Sequence, residues 1–238
     1  MKREEIDEAL RQHAGTAQQV SPALLQRIAE SIRPTLLPAR PLPSSQILAG
    51  ASILICAAVA LAGAARTGWY GFERMGLADR VMIFSMLGLL AWVATAELVC
   101  ELVPGSRHRF TPARLLMLVI AALLGTLAFV FRDYQTTRFV SAGLTCLATG
   151  VAHAIPAALL CLWVLRRGYA VNPISAGLTA GAVGGLAGIT LLELHCPLFE
   201  APHVLVWHTA VVPVSATLGA ALGGVWDIVA SRRNTPGS

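Results

Sequence analysis

Two cysteines stand where chemistry can be assembled. Cys146 opens the fourth apolar stretch of the chain, and Cys196 closes the fifth in the string LELHCPLFEAPHVLVWH. A thiol pair on the oxidising side of a membrane can form a disulfide or bind a soft metal. Histidines gather nearby. Cys146, Gly150 and His153 fall at i, i+4 and i+7, one helical face, and His203 lies four residues before Trp207, with His208 next. Together with Glu193, His195 and Glu200 these residues offer sulfur, nitrogen and oxygen ligands, and Cys146, His153, Cys196 and His203 form the expected ligand set if a soft metal ion is held. The spacing HC-x6-H-x4-H matches no known zinc pattern, and three segments must converge to build the site. The alternative reading makes the histidines interfacial anchors and interhelical hydrogen bonders, and it is the one adopted for His195 and His208.

The remaining candidates are weaker. Cys56, Cys100 and Cys161 read as small apolar packing residues. No CxxC occurs, which argues against a thiol oxidoreductase. Glu97 and Glu101 lie one turn apart within the second apolar stretch, and an intramembrane carboxylate is a candidate for proton coupling. Their place near a segment end, with Arg107 and Arg109 following, suggests ion pairing instead. No set of residues resembles a catalytic site, and the chain is not expected to be an enzyme.

The elements that must position these groups follow from hydropathy. Of 238 residues, 55% are hydrophobic and 13% charged, against about 25% charged in a soluble domain; the mean hydropathy is +0.65. Six stretches approach the roughly 20 residues needed to cross a bilayer: Gln46–Ala65, Val81–Val103, Ala113–Phe131, Ala142–Leu165, Pro173–Leu194 and Val204–Ala230. Inside lipid each backbone amide must be paired within its own segment, so these are helices. The expected fold is an all-α polytopic membrane protein with six transmembrane helices. The net charge of +5 does not point to nucleic acid, because the basic residues sit at the ends of apolar runs.

Lys and Arg counts set the orientation. With the N-terminus inside, 13 of the 18 fall on the cytoplasmic side and 5 on the other. Both termini are therefore expected in the cytoplasm, with residues 1–45 a cytoplasmic segment, 46–231 the transmembrane domain and 232–238 a cytoplasmic tail. No cleaved secretory signal is expected. Within the N-terminal segment, Ser21 and Pro22 start a helix in which Leu24, Leu25, Ile28 and Ile32 form an apolar stripe. Pro34, Pro38, Pro41 and Pro43 make a stiff tether behind it. A short helix on such a tether suits partner docking; it could equally lie on the membrane surface.

The fifth stretch is glycine-rich, with Gly177, Gly181 and Gly185 at four-residue spacing and Gly184 and Gly188 beside them. Small residues so spaced let backbones approach closely, within the bundle, across a homodimer, or in a sliding helix. Gly219 and Gly223 of the sixth stretch offer a partner groove, and Pro156 and Pro213 should kink the fourth and sixth helices.

The chain resembles the NrsF family, membrane negative regulators of the extracytoplasmic-function sigma factor sigma F. The likeness is carried by a short N-terminal segment before six membrane helices and by the glycine-rich fifth helix running into LELHCP and the Trp207-containing HVLVWHT. Cys146, 50 residues before Cys196 and followed by Pro156 and an RRG turn, completes it. Trp207 is followed by His208 where the family tends to show a second aromatic. The resemblance implies a bacterial inner-membrane anti-sigma factor. Its N-terminal segment would hold the sigma factor, and Cys146 and Cys196 would sense an envelope signal that releases it. The tail lacks the His-x3-Cys-x2-Cys pattern of soluble anti-sigma domains, so capture would use the Leu24, Leu25, Ile28, Ile32 stripe or the cytoplasmic loops. A small transporter or channel lined by Glu97 and Glu101 is the rival reading.

Overall fold

The computed structural model describes residues 21–32, 43–103, 106, 108–136, 138–165, 168 and 170–234, and the side chains of these except 32 and 230–234. The start of the N-terminal segment, most of the proline tether, Ile32's side chain, Arg107, Arg166 and Arg167 of the RRG turn, and the end of the C-terminal tail lie outside them. The chain divides into two units, residues 1–41 and 42–238.

In the first unit, α1 (Pro22–Ile32) begins where the Ser21–Pro22 pair places it. Leu24, Leu25 and Ile28 are all exposed, while Gln26 bonds Glu30 one turn on.

The second unit consists of α2 (Ser45–Thr67), the short α3 (Tyr70–Arg74), α4 (Leu77–Leu102), α5 (Pro112–Val130), α6 (Phe139–Val164), α7 (Pro173–His195), α8 (Ala201–His203), a π-helical turn (Val204–His208) and α9 (Thr209–Asn234). Among the described residues, six helical stretches are long and apolar enough to cross a membrane: α2, α4, α5, α6, α7 and the run from Ala201 to Val229. The chain is thus an all-α, multi-pass membrane protein. Side-chain caps mark helix starts the sequence announces. Ser44 accepts from Ile47 N, Thr111 from Arg114 N, and Asn172 from Ile174 N and Ser175 N, satisfying amides that have no partner inside the helix. Hydropathy located all six spans to within a few residues. It missed α3, too short to register, and began the sixth span three residues late because Pro202 is accepted in the first turn.

Helix α7 is the axis of the bundle, the most buried span, and it packs most closely on α9 and α6. The outward faces carry Leu54, Leu89, Met117, Phe129, Leu144, Leu159 and Leu222 exposed, an apolar exterior that water would not tolerate over such an area. Between apolar helices in lipid, association depends on packing contact rather than on hydrophobic burial, and the glycines supply it on two sides. A Cβ on Gly177 or Gly181 would strike the carbonyl oxygen of Gly219 or Ser215 in α9, and one on Gly185 would lie 2.7 Å from Val212 Cα. Gly184 and Gly188 instead meet the carbonyls of Ala154 and Gly150 in α6. The Gly177, Gly181, Gly185 seam is therefore occupied by α9 within the chain, the first of the alternatives its spacing offered.

Six spans put the N-terminal end of α2 and the C-terminal end of α9 at one end of the bundle, and the α2–α4, α5–α6 and α7–α8 links at the other. Those links are tied together. His195 Nδ1 donates to Gly68 O at 3.2 Å, Arg74 Nη1 to Pro197 O at 3.4 Å, and Ala201 N to Asp133 O at 2.5 Å. At the opposite end Glu97 is buried, accepting from the Arg109 amide at 3.1 Å. His108 lies 3.8 Å from Glu97 and 3.9 Å from Glu101. Among the described residues, His108 and the Arg109 amide are thus the groups beside these carboxylates; Arg107 lies outside them.

Candidate metal-binding site

The linked end carries the site. Cys146 lies two turns into α6, and Cys196 caps α7, its amide bonded to Leu192 O at 2.7 Å. Their Sγ atoms are 3.6 Å apart, a thiol contact well beyond the 2.03–2.05 Å of a disulfide. His203 Nε2 stands 3.6 Å from Cys196 Sγ. Potential ligand atoms of Cys146, Cys196, His203 and His208 all lie within 4.8 Å of one another. Two sulfurs and two imidazoles so gathered form the donor set favoured by four-coordinate, borderline-soft ions such as Zn(II). Cys146 is the half-buried member and the other three are buried, so the cluster opens at its α6 edge.

The π turn explains how two histidines five residues apart reach one point. On an α-helix, at about 100° per residue, they would stand about 140° apart. Here the amide of Thr209 bonds Val204 O, five residues back, and i→i+5 pairing sets residues at that spacing nearly above one another. The His203 and His208 rings meet edge to face, 5.3 Å between centroids. Pro213, four residues beyond Thr209, leaves that carbonyl without its helical donor and loosens the ladder beside the wide turn.

Glu193 supports the cluster from one turn inside α7. It is buried, and its Oε1 accepts from His208 Nδ1 at 2.8 Å. A neutral imidazole donating through Nδ1 presents its Nε2 lone pair, the arrangement that carboxylate–histidine–metal groups use. His208 Nε2 and His203 Nδ1 are both buried without a hydrogen-bond partner. Buried polar atoms are seldom left so, and a bound cation would satisfy the former. Hydrogen bonding to Cys146, with burial, holds the Cys196 thiol above the ordinary cysteine range, opposed by the two histidines.

Close backbone contacts fix the geometry. Gly71 of α3 lies against the end of α7 so tightly that a Cβ would come 2.6 Å from Glu193 O and 2.7 Å from Cys196 O. Gly143 of α6 accepts the Trp207 indole directly on its backbone, and Phe139 sits against the same ring at 5.6 Å. Trp207 is thus the wedge that spaces α6 from the π turn.

The sequence expectation is modified at one ligand. His153 bonds the Thr149 carbonyl at 2.9 Å and lies over Gly63 of α2, away from the thiols. It does share a helical face with Cys146, but seven residues carry it about 10 Å along the axis, out of ligand range. His208 takes its place. The only sequence signal for that choice was His208's position in the same string as Cys196 and His203, and α-helical periodicity pointed it elsewhere.

The family model described as NrsF, negative regulator of sigma F, matches residues 29–226. No curated protein and no solved structure gives a significant match.

Proposed function

The chain belongs to the NrsF family of negative regulators of sigma F, and we propose that it anchors an extracytoplasmic-function sigma factor at the bacterial inner membrane and releases it on thiol- or metal-reactive envelope stress. The family is regulatory rather than enzymatic, and its name implies a sigma factor as partner. The finer reading rests on one observation: two thiols and two imidazoles converge, with unpartnered nitrogens, at the end of the bundle opposite its termini.

The Lys and Arg distribution supports both termini in the cytoplasm and the Cys146, Cys196, His203, His208 cluster at the outer face. Residues 1–45 would then be the cytoplasmic segment, with 46–231 in the membrane and 232–238 a second cytoplasmic piece. Capture falls to α1, where Leu24, Leu25 and Ile28 are exposed and Ile32 continues the stripe in sequence. An apolar helical face of this kind docks in a groove of a partner.

Release requires that the signal favour one packing of the bundle over another. A soft ion held by Cys146 and Cys196, with His203 and His208 completing its shell, would draw the ends of α6 and α7 and the π turn together. Displacement at the end of α7 cannot stay local, because its glycines sit directly on the backbones of α6 and α9 and packed interfaces shift between discrete arrangements. Inverting a population from 1:99 to 99:1 takes a difference of about 5.5 kcal/mol in binding between the two packings, a part of the roughly 10–16 kcal/mol that structural zinc sites yield.

Capture is tested with the full-length chain solubilised from membranes. The wild type is expected to bring down a sigma factor, and Leu25→Asp with Ile28→Asp to lose most of it while the chain still inserts. Equal recovery by wild type and variant would remove the stripe from the account.

A further inference from the structure

A second pair of thiols lies far from the first. Cys56 of α2 and Cys161 of α6 place their Sγ atoms 3.9 Å apart, and both residues are buried. The 15 residues between Cys146 and Cys161 set this pair about 22 Å along α6 from the outer cluster. Both α2 and α6 rest on α7, and among the described residues the other polar neighbours of the two sulfurs are backbone carbonyls and the Ser52 hydroxyl. Cys56 Sγ is 4.0 Å from Val183 O and Cys161 Sγ 3.7 Å from Ser52 O. The Ser52 hydroxyl, also within reach of Cys161, bonds Leu48 O at 3.0 Å.

We propose that Cys56 and Cys161 form a membrane-embedded site for a soft divalent ion that takes two ligands in line, of which Hg(II) is the type. Three features select that class. A linear sulfur–metal–sulfur unit with bonds of about 2.3 Å spans about 4.6 Å, so the pair must open by about 0.7 Å, whereas a disulfide would require it to close by nearly 2 Å. Among the described residues the contacts of the pair include no imidazole or carboxylate, which disfavours ions that demand four ligands. Charge decides the rest. Two thiolates and one divalent ion are neutral, and a monovalent ion would leave a net negative charge where uncompensated charge is costly.

The step balances without an oxidant. A neutral mercuric chloride molecule meets two thiols, two S–H and two Hg–Cl bonds break, two Hg–S bonds form, and both protons leave as hydrogen chloride. The site joins α2 to α6 across α7, so occupation ties together two spans that the outer cluster does not link.

The test uses full-length protein in detergent carrying Cys146→Ser, Cys196→Ser and Cys100→Ser, so that failure here leaves the outer-cluster reading untouched. Mercuric chloride is added in steps, with free thiols titrated and the intact mass recorded. One equivalent is expected to consume both remaining thiols and add one mercury with loss of two protons. Cd(II) is expected to bind at least 100-fold more weakly. Cys161→Ala, and independently Cys56→Ala on the other helix, should abolish bridging, so that either variant suffices if the other fails to fold. Uptake of two mercury ions, one per thiol, or survival of one titratable thiol after one equivalent, would overturn the proposal.

Discussion

The two thiol pairs have nearly the same separation, 3.6 Å for Cys146 and Cys196 and 3.9 Å for Cys56 and Cys161, yet their neighbourhoods give them different chemistry. The outer pair has two imidazoles and a buried carboxylate within reach; the inner pair has backbone carbonyls and a neutral serine hydroxyl. Donor number and charge, rather than sulfur spacing, separate a four-coordinate site from a two-coordinate one. Cys146 of the outer pair is half-buried, whereas both thiols of the inner pair are buried, so the inner pair is the one that favours a neutral incoming species over a hydrated ion.

Breaking the contrast at its strongest point means removing a sulfur. Cys196→Ala is expected to weaken Cd(II) or Zn(II) binding by well over 100-fold in the purified chain, measured by competition with a chelator of known affinity. Cys56→Ala should leave that affinity within about threefold. Equal losses would make the two pairs one system. Next comes the carboxylate that orients His208. Glu193→Gln keeps a hydrogen-bonding group but removes the charge, and second-shell changes of this kind cost roughly 10–100-fold in metal affinity; thermal unfolding recorded alongside separates that loss from misfolding. An unchanged affinity would remove Glu193 from the site.

Smaller effects sharpen the boundary. Gly143→Ala pushes a methyl into the Trp207 indole, and overpacking of this order costs about 1–3 kcal/mol. The expected results are a lower unfolding temperature and several-fold weaker metal binding, because the wedge between α6 and the π turn is displaced. Smallest of all should be His153→Ala, which leaves metal affinity within about twofold, since that ring lies over Gly63. A large loss would restore it to the ligand set.

The contrast also marks where sequence reading reached its limit. Six spans were legible because length and apolarity are properties of one segment at a time, and the ends of those spans carry Ser44, Thr111 and Asn172 as visible caps. Cys146 and Cys196 were legible as neighbours because alternating topology puts both at the same end. What could not be read depended on departures from helical periodicity or on the meeting of remote faces. The π turn moved His208 into the cluster, axial rise took His153 out, and α3 was too short to carry a pattern. Cys56 and Cys161 looked like separate packing residues, since nothing in a single segment states which face of α2 meets which face of α6. The glycines were visible as a seam, but their division between α9 and α6 was not.

The most direct test of the account couples its two ends. Membranes bearing the full-length chain and its captured sigma factor are exposed to Cd(II), and the sigma factor remaining bound is measured by pull-down. The wild type should release most of it, and the Cys146→Ser, Cys196→Ser variant should capture it equally well and release none. Release that persists in that variant would contradict a sensing role for the outer cluster.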